Sequence, residues 1–596
     1  LVAAETDQPE VLAFLGMLEL SRGRPADAVQ PLERAVALSP GSAPSLANLG
    51  LAYGQTGELQ KADAALERAL RIQPDSLEIR LNFGLVRLDH GEHLAAIALI
   101  GRVLELRPGF LPATRALAKA WARQGEAALK RGDEASAIDS FQKSIELDPS
   151  VGRVHRSLGV AWLRVSNLAE GLSCLERAIG LDPTLADAEC KYVFHSAFSS
   201  DFSADALLQV ARGYSEHHLS PLRDKQRPHP HERSPERPLR VGYVSADLRE
   251  HTLRLFLHPV LRHHDRRGFE IHCYSSVKAR DVWTDRLREL ADDWHDVATL
   301  TDAELAERIR SDRIDVLIDL SMYMDGHRRR TFAEKPAPVQ LAWFAYPGTT
   351  GAEGVDYRIT DPLLDPPGAP LPYSERSLWL PHSFWCYDPA SETPAVNELP
   401  ALAAGRVTFG CLNNFLKVNR AVLELWGRVL TAVPNSELLL LAPSAWAQKF
   451  ARSELQKQGV DPTRVHCEGL KWREKYLELY HRIDVALDCF PYNGHTTSFD
   501  AFWMGVPVVT LLGKTIVGRA GLCQAHHLDL RELVAETPDE YLGIAAGLAR
   551  DLPRLRVLRG ELRGRLARSP LMDGPAFTRG LEQAYRRAWR DFSEAR

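Results

Sequence analysis

Five prolines close five similar phrases in the first third of the chain: Pro40 (ALSP), Pro74 (RIQP), Pro108 (ELRP), Pro149 (ELDP) and Pro183 (GLDP), at intervals of 34, 34, 41 and 34 residues. Small residues keep the same frame: Gly16, Gly50, Gly84 and Gly159 with Ala118 between, and Ala28, Ala62, Ala96 and Ala137 followed by Gly171. A period of this length holds two amphipathic helices and a turn, for example over Ala43–Thr56 and Leu59–Ile72. The small residues let paired helices approach, and the proline, which cannot continue a helix, starts the next unit. One such unit cannot bury its apolar face alone, so units must stack. The interval of 41 adds about two helical turns, expected near Gln124–Arg131.

The period, the small residues and the closing proline together resemble the tetratricopeptide repeat, and predict an α-superhelical array over residues 1–200. Arrays of this kind present a concave face to peptides. Asn48 and Asn82 share a frame position that Phe14, Ala116 and Ser157 are expected to occupy in the other units. The two asparagines are either peptide contacts or solvated helix residues.

Near residue 220 the pattern changes. PLRDKQRPHPHERSPERPLR has no apolar period and marks residues 201–238 as transition and linker. Strands and helices then alternate, as in α/β folds. LRVGYVS (239–245), EIHCYSS (270–276), DVLIDLS (315–321) and VQLAWFAYPG (339–348) read as buried strands, with a helix over Asp302–Ser311. After a proline-rich stretch at 362–400 come VTFGCL (407–412), ELLLLA (437–442), RVHCEG (464–469), DVALDCF (484–490) and PVVTLL (507–512). The expectation is a GT-B fold of two Rossmann-like halves, residues 239–400 and 401–596, the second holding the nucleotide. Neither half has G-x-G-x-x-G after its first strand, which disfavours a dehydrogenase.

Ligands of open parallel sheets sit beyond the carboxyl ends of strands, against helix N-termini. Four segments have that placement: VSADLREH with His251; GCLNNFLK with Asn414 and Lys417; GLKWREKY with Lys471, Arg473 and Tyr476; and PYNGHTTSFD with His495, Thr496, Thr497 and Asp500. Taken singly, each has an ordinary reading: a loop histidine, a solvated lysine, N-cap threonines. Their convergence in one architecture points to a nucleotide-sugar site.

The same residues carry a resemblance to the O-GlcNAc transferase family that spans nearly the whole chain, through the repeats and VGYVSADLREH, KPAPVQLAWFAYPGTTG, DYRITDP, FGCLNNFLK, VPNSELLLL and FPYNGHTTSFDAFWMGVPVVT. The segment that separates the catalytic halves in animal members is missing, so the chain is similar to compact bacterial members. The resemblance implies His251 beside the reacting centre as base or proton relay, and Lys417 on the donor diphosphate. It implies Asn414, Lys471, Arg473 and Tyr476 near the nucleoside, His495, Thr496 and Thr497 as the β-phosphate cradle, and Asp500 on the ribose. Met322, Tyr323, Leu416 and Tyr492 depart from the family pattern, Tyr492 standing where animal enzymes have a small residue near the sugar.

The expected activity is that of an inverting enzyme that transfers N-acetylglucosamine from UDP-GlcNAc to Ser or Thr hydroxyls of proteins held by the repeats. The sequence contains no D-x-D motif, so no metal and no cofactor beyond the donor substrate is expected. The rivals on the same scaffold are a GDP-fucose-dependent O-fucosyltransferase and a UDP-glucose-dependent N-glycosyltransferase. A repeat scaffold with an inert, nucleotide-sugar-sensing catalytic half is the rival from another class. Plant fucosyltransferases lack the histidine of the GHTT run, so His495 leans toward UDP. The net charge of -5 argues against a general nucleic-acid partner. Eight cysteines without a C-x-x-C pair argue against a disulfide framework or a cysteine zinc site and for a reducing, cytoplasmic location. The first residues carry no basic n-region, and no run of ~18 apolar residues predicts a membrane span.

Overall fold

The computed structural model describes residues 8–369, 371–389 and 393–595. They divide into two compact units, one running to Arg164 and including Ser173–Asp182, the other holding Val165–Leu172 and everything from Pro183 onward.

The first unit is built from antiparallel helix pairs. Four are complete: Pro9–Ser21 with Pro25–Leu38, Ala43–Thr56 with Leu59–Ile72, Leu77–Asp89 with His93–Leu106, and Leu111–Lys130 with Glu134–Leu147. The glycine frame is the contact line within each pair. A Cβ on Gly50 would lie 2.5 Å from Leu66 Cγ, and one on Gly84 would lie 2.5 Å from Ile100 Cγ1. In the lengthened helix the corresponding contact is Gly125, whose Cβ would lie 2.6 Å from Phe141. Gly125, not Ala118, is therefore the frame residue. The extra residues of Leu111–Lys130 lie before it rather than over Gln124–Arg131. The frame position of Asn82 is likewise Arg123 in this unit; Ala116 is buried.

The helices Ala186–Ser196 and Ala204–His218, expected at the end of the array and in the linker, belong to the second unit. Cys190, Val193, Phe198, Ala211 and Tyr214 pack into its core, and Lys191 pairs with Asp325 at 2.6 Å. They bury their apolar face on the sheet body instead of on another repeat. The segment that follows is a strap rather than a free tether. Arg237 holds both carboxylate oxygens of Asp315, at 2.8 and 2.5 Å, and lies 4.6 Å over the Trp589 ring.

Two all-parallel sheets form the second unit. The first contains β1 (Leu239–Ser245), β2 (Phe269–Ser275), β3 (Asp293–Asp296), β4 (Val316–Asp319), β5 (Val339–Ala342), β6 (Tyr357–Thr360) and β7 (Arg376–Trp379), in the order β3-β2-β1-β4-β5-β6-β7. The second contains β8 (Val407–Cys411), β9 (Ser436–Leu441), β10 (Val465–Glu468), β11 (Val485–Leu487), β12 (Val508–Leu511) and β13 (Val534–Ala535), in the order β10-β9-β8-β11-β12-β13. β1 and β5 are buried along nearly their whole length, as strands of parallel sheets covered on both faces are. The strands that sequence periodicity missed, β3, β7 and β13, lie at sheet edges and run for only two to four residues, too few to show an alternation; β6, of four residues, was missed as well. The final helix, Gly574–Glu594, returns to the first sheet, with Tyr585 Oη 3.0 Å from Tyr243 Oη and His264 Nδ1 2.9 Å from Glu582. The second half expected over 401–596 thus ends before this helix.

Candidate active site at the two switch points

In both sheets the first strand is flanked by its second and fourth, so the direction in which strands are added across the sheet reverses between β1 and β4 and between β8 and β11. Crevices open at such switch points beyond the carboxyl ends of strands. The segments after β1, β8 and β11 meet there around a cavity of about 250 Å³. His251, Asn414, Lys417, His495, Thr496 and Thr497 line it together, as do Asp247, Asn413, Trp385 and Tyr492. Its volume is a little below the ~300–1,000 Å³ usual for small-molecule sites.

Lys417 ends a short 3-10 turn, Phe415–Lys417, capped by Asn414, whose side chain accepts from Leu416 N–H at 3.1 Å. The ammonium donates to the Asn493 carbonyl at 2.7 Å and lies 4.0 Å from the centre of the Tyr492 ring. Burial lowers its pKa to about 8, against the opposing pull of Cys489 and Asp488.

Asp488 shapes the turn behind it. It accepts from Gly494 N–H at 2.6 Å, from Cys489 N–H at 2.9 Å and from Thr510 Oγ1 at 2.8 Å, while burial pushes its carboxyl up to about 6. A Cβ on Gly494 would lie 2.3 Å from Ser498 Oγ, so only glycine lets the turn run directly into the following helix.

That helix is Thr496–Trp503, with His495 at the N-cap and no side chain capping it. Its first amides therefore keep unused donors, the arrangement that binds phosphate. Thr497 Oγ1 is turned to Asn413 Oδ1. His495 stacks edge-on to Trp385 at 5.0 Å, its Nε2 has no partner, and burial holds its pKa well below the usual histidine value.

On the opposite wall, His251 Nδ1 accepts from Leu253 N–H at 3.3 Å and lies 3.9 Å from Asp247 Oδ2. Burial lowers its pKa, opposed by Asp247. The neutral ring thus carries its hydrogen on Nε2.

The remaining expected residues lie outside this cavity. Asp500 is 1% exposed, with both oxygens bound by Arg473 at 2.6 and 2.5 Å and one by Tyr387 Oη at 2.9 Å. Its place one turn inside the helix turns the carboxylate to the core, so here it anchors Arg473 instead of standing free for ribose. Tyr476 Oη is 3.0 Å from Tyr480 Oη, which donates to the Thr497 carbonyl at 2.9 Å, a brace from a neighbouring helix to the cradle. Lys471 pairs with Glu468 at 3.1 Å in a separate surface groove, beside Leu470 and Trp472, which are 78% and 87% exposed.

Sequence reasoning missed Phe194 and Phe198, which line the cavity from a segment assigned to the repeats. Phe198 stacks on Tyr492 at 4.7 Å. It also missed the structural role of Asp488, whose only signal was a buried acid ending a strand.

Repeats joined to two parallel halves with an anion cradle at the switch point define a nucleotide-sugar transferase class. The description Glycosyl transferase family 41 matches residues 217–406 and 393–581, and tetratricopeptide repeat descriptions match 19–81 and 118–151. The chain belongs to glycosyl transferase family 41. It is 35% identical over 428 residues to the probable UDP-N-acetylglucosamine–peptide N-acetylglucosaminyltransferase SPINDLY of Oryza sativa subsp. japonica, covering 70% of this chain and 46% of that protein. The Solanum lycopersicum protein of the same name is 38% identical over 369 residues, covering 60% and 40%. The chain thus spans less than half the length of these relatives. A solved structure, that of a mutant of Thermobaculum terrenum O-GlcNAc transferase, superposes with a TM-score of 0.72 at 35% identity, covering 87% of this chain and 98% of that one.

Proposed function

We propose that the protein transfers N-acetylglucosamine from UDP-GlcNAc to Ser or Thr hydroxyls of proteins, with inversion and without a divalent metal in the transfer step. One observation carries the reading. The Lys417 ammonium, the free amides of Thr496 and Thr497 and the unpaired His495 Nε2 face one cavity, and its only acidic lining residue among the described residues, Asp247, comes from the opposite half. The names of the plant relatives and of the bacterial structure agree with it.

In the reaction the acceptor oxygen attacks the anomeric carbon as the bond to the β-phosphate breaks, and UDP leaves with the electron pair. Negative charge grows on the diphosphate, where preorganised donors act most strongly. Lys417 and the helix N-terminus supply that charge stabilisation. His251 Nε2–H orients an oxygen at the reacting centre, and the acceptor proton passes to the carboxylate of Asp247, 3.9 Å from His251 Nδ1. Protein acceptors dock on the repeat unit. Cys190, Cys273, Cys386, Cys411, Cys467, Cys489 and Cys523 are free thiols, which supports a reducing, cytoplasmic location. Among the described residues no helix is long and apolar enough to cross a membrane.

The test is thermal unfolding with UDP and GDP, followed by mass spectrometry of acceptor proteins with a panel of UDP- and GDP-sugars. A ligand at 100 times its Kd stabilises by about 2.7 kcal/mol. UDP should protect and GDP should protect much less, with a gain of N-acetylhexosamine on Ser or Thr. Equal protection by GDP with deoxyhexose transfer would replace this reading by O-fucosylation.

A further inference from the structure

We propose a structural divalent-metal site of the zinc class at the β2–β3 edge of the first sheet, formed by His272, His295, Asp312 and Asp293. The parallel register sets His272 beside Asp293 and Tyr274 beside His295. Alternation in strands puts all four side chains on one face. The helix Asp302–Ser311 covers that face and ends next to Asp312. One ligand atom each from His272, His295 and Asp312 lies within 4.8 Å of the others.

Two ring nitrogens of this set make no hydrogen bond. His272 is 4% exposed and donates Nε2–H to Glu270 at 3.0 Å, so its Nδ1 carries a lone pair, and that atom has no partner. His295 is 8% exposed, and its Nε2 has no partner either. The two nitrogens face carboxylate oxygens: His272 Nδ1 is 3.7 Å from Asp293 Oδ2, and His295 Nε2 is 3.1 Å from Asp293 Oδ2 and 3.5 Å from Asp312 Oδ2. Tetrahedral zinc with bonds of ~2.0–2.1 Å spaces its ligand atoms by about 3.3 Å. Glu270 behind His272 is the outer carboxylate that orients metal-bound histidines.

Arg308 is the competing cation. It donates to His295 Nδ1 at 2.9 Å and to both oxygens of Asp312, one of which also accepts from Tyr274 Oη at 2.8 Å. In the metal-free protein His295 therefore carries its hydrogen on Nε2. Metal entry at Nε2 requires the other neutral tautomer: one proton leaves Nε2 and one is taken up from solvent at Nδ1, with no net release, as the half-exposed guanidinium turns away. None of these residues lines the donor cavity, so the ion would pin the exposed edge strand rather than take part in transfer. The set spans 41 residues, from 272 to 312, with no regular spacing, and this is why the sequence announced no metal.

The test uses the full chain, stripped with a chelator, dialysed and titrated with Co²⁺, then competed with Zn²⁺. One equivalent should give tetrahedral visible absorption, which Zn²⁺ abolishes, and should raise Tm. His295→Ala and the milder Asp293→Asn, at a half-exposed position, should each lose the absorption while keeping UDP affinity. Absence of the absorption in the folded wild type overturns the proposal. So does absorption that persists in both variants, which would place the ion elsewhere, for example at Glu189, His217 and His218.

Discussion

The ammonium of Lys417 lies 4.0 Å from the centre of the Tyr492 ring, in a pocket closed below by the Asn493 carbonyl. A buried cation held by a ring face and a dipole, with no carboxylate among the described residues bonded to it, is poised to take an anion. Lys417→Ala should lower turnover by about 10²–10³-fold. Lys417→Arg should rescue only part of this, since a planar fork does not reproduce a compact ammonium. Initial rates of wild type should survive EDTA, and loss of an edge-strand ion should show in Tm rather than in rate. Activity lost in EDTA and restored by magnesium or manganese would refute the metal-free step.

The same burial gives opposite pH signs to binding and stability. Lys417 is held at about pKa 8, against 10.5 for an ordinary lysine. Between those values the unfolded chain keeps a proton that the apo protein has released, so apo stability from this group rises with pH. UDP requires the charged form, so its affinity falls over the same window, up to about tenfold per pH unit. Bound UDP raises the pKa and delays the fall. Calorimetric Kd and Tm of wild type and Lys417→Met from pH 7 to 10 check this; both slopes should flatten in the variant.

His251 stands across the cavity from the diphosphate donors. His251→Ala should reduce kcat by about 10²–10⁴-fold and leave the UDP Kd nearly unchanged. Wild-type turnover in this variant would leave proton transfer to Asp247 and solvent.

Arg473 and Asp500 form a buried pair, and breaking such a pair from one side costs about 3–5 kcal/mol. Arg473→Met should therefore destabilise strongly in denaturant melts. Arg473→Met with Asp500→Asn should recover much of the loss, because no unpaired charge stays buried. If Asp500→Asn alone weakens UDP binding at unchanged stability, the acid contacts ribose after all.

A fragment that begins at Pro183 keeps Phe194 and Phe198 on the cavity, whereas one that begins after residue 200 removes them. The first should bind UDP like the full chain and modify protein acceptors much more slowly; the second should lose UDP affinity as well. Full-rate protein modification by the Pro183 fragment would remove the repeats as the acceptor dock.

Local pattern determined much of this protein. The 34-residue period, the buried strand runs and the turn residues ahead of helices are short-range signals. They placed the repeats, β1, β8, β11 and the cradle of His495, Thr496 and Thr497 beside Lys417. Frame errors arose where an insertion broke the period, because only contact with Phe141 distinguishes Gly125 from Ala118 as the packing glycine. Which charges stand free was decided by tertiary structure alone. Asp500 and Lys417 read alike as polar residues near strand ends. Arg473 and Tyr387, 27 and 113 residues from Asp500 in sequence, occupy its carboxylate, while no acid among the described residues reaches the Lys417 ammonium. Free energies of burial and pairing depend on neighbours distant in the chain, and those neighbours exist only once the two sheets have folded.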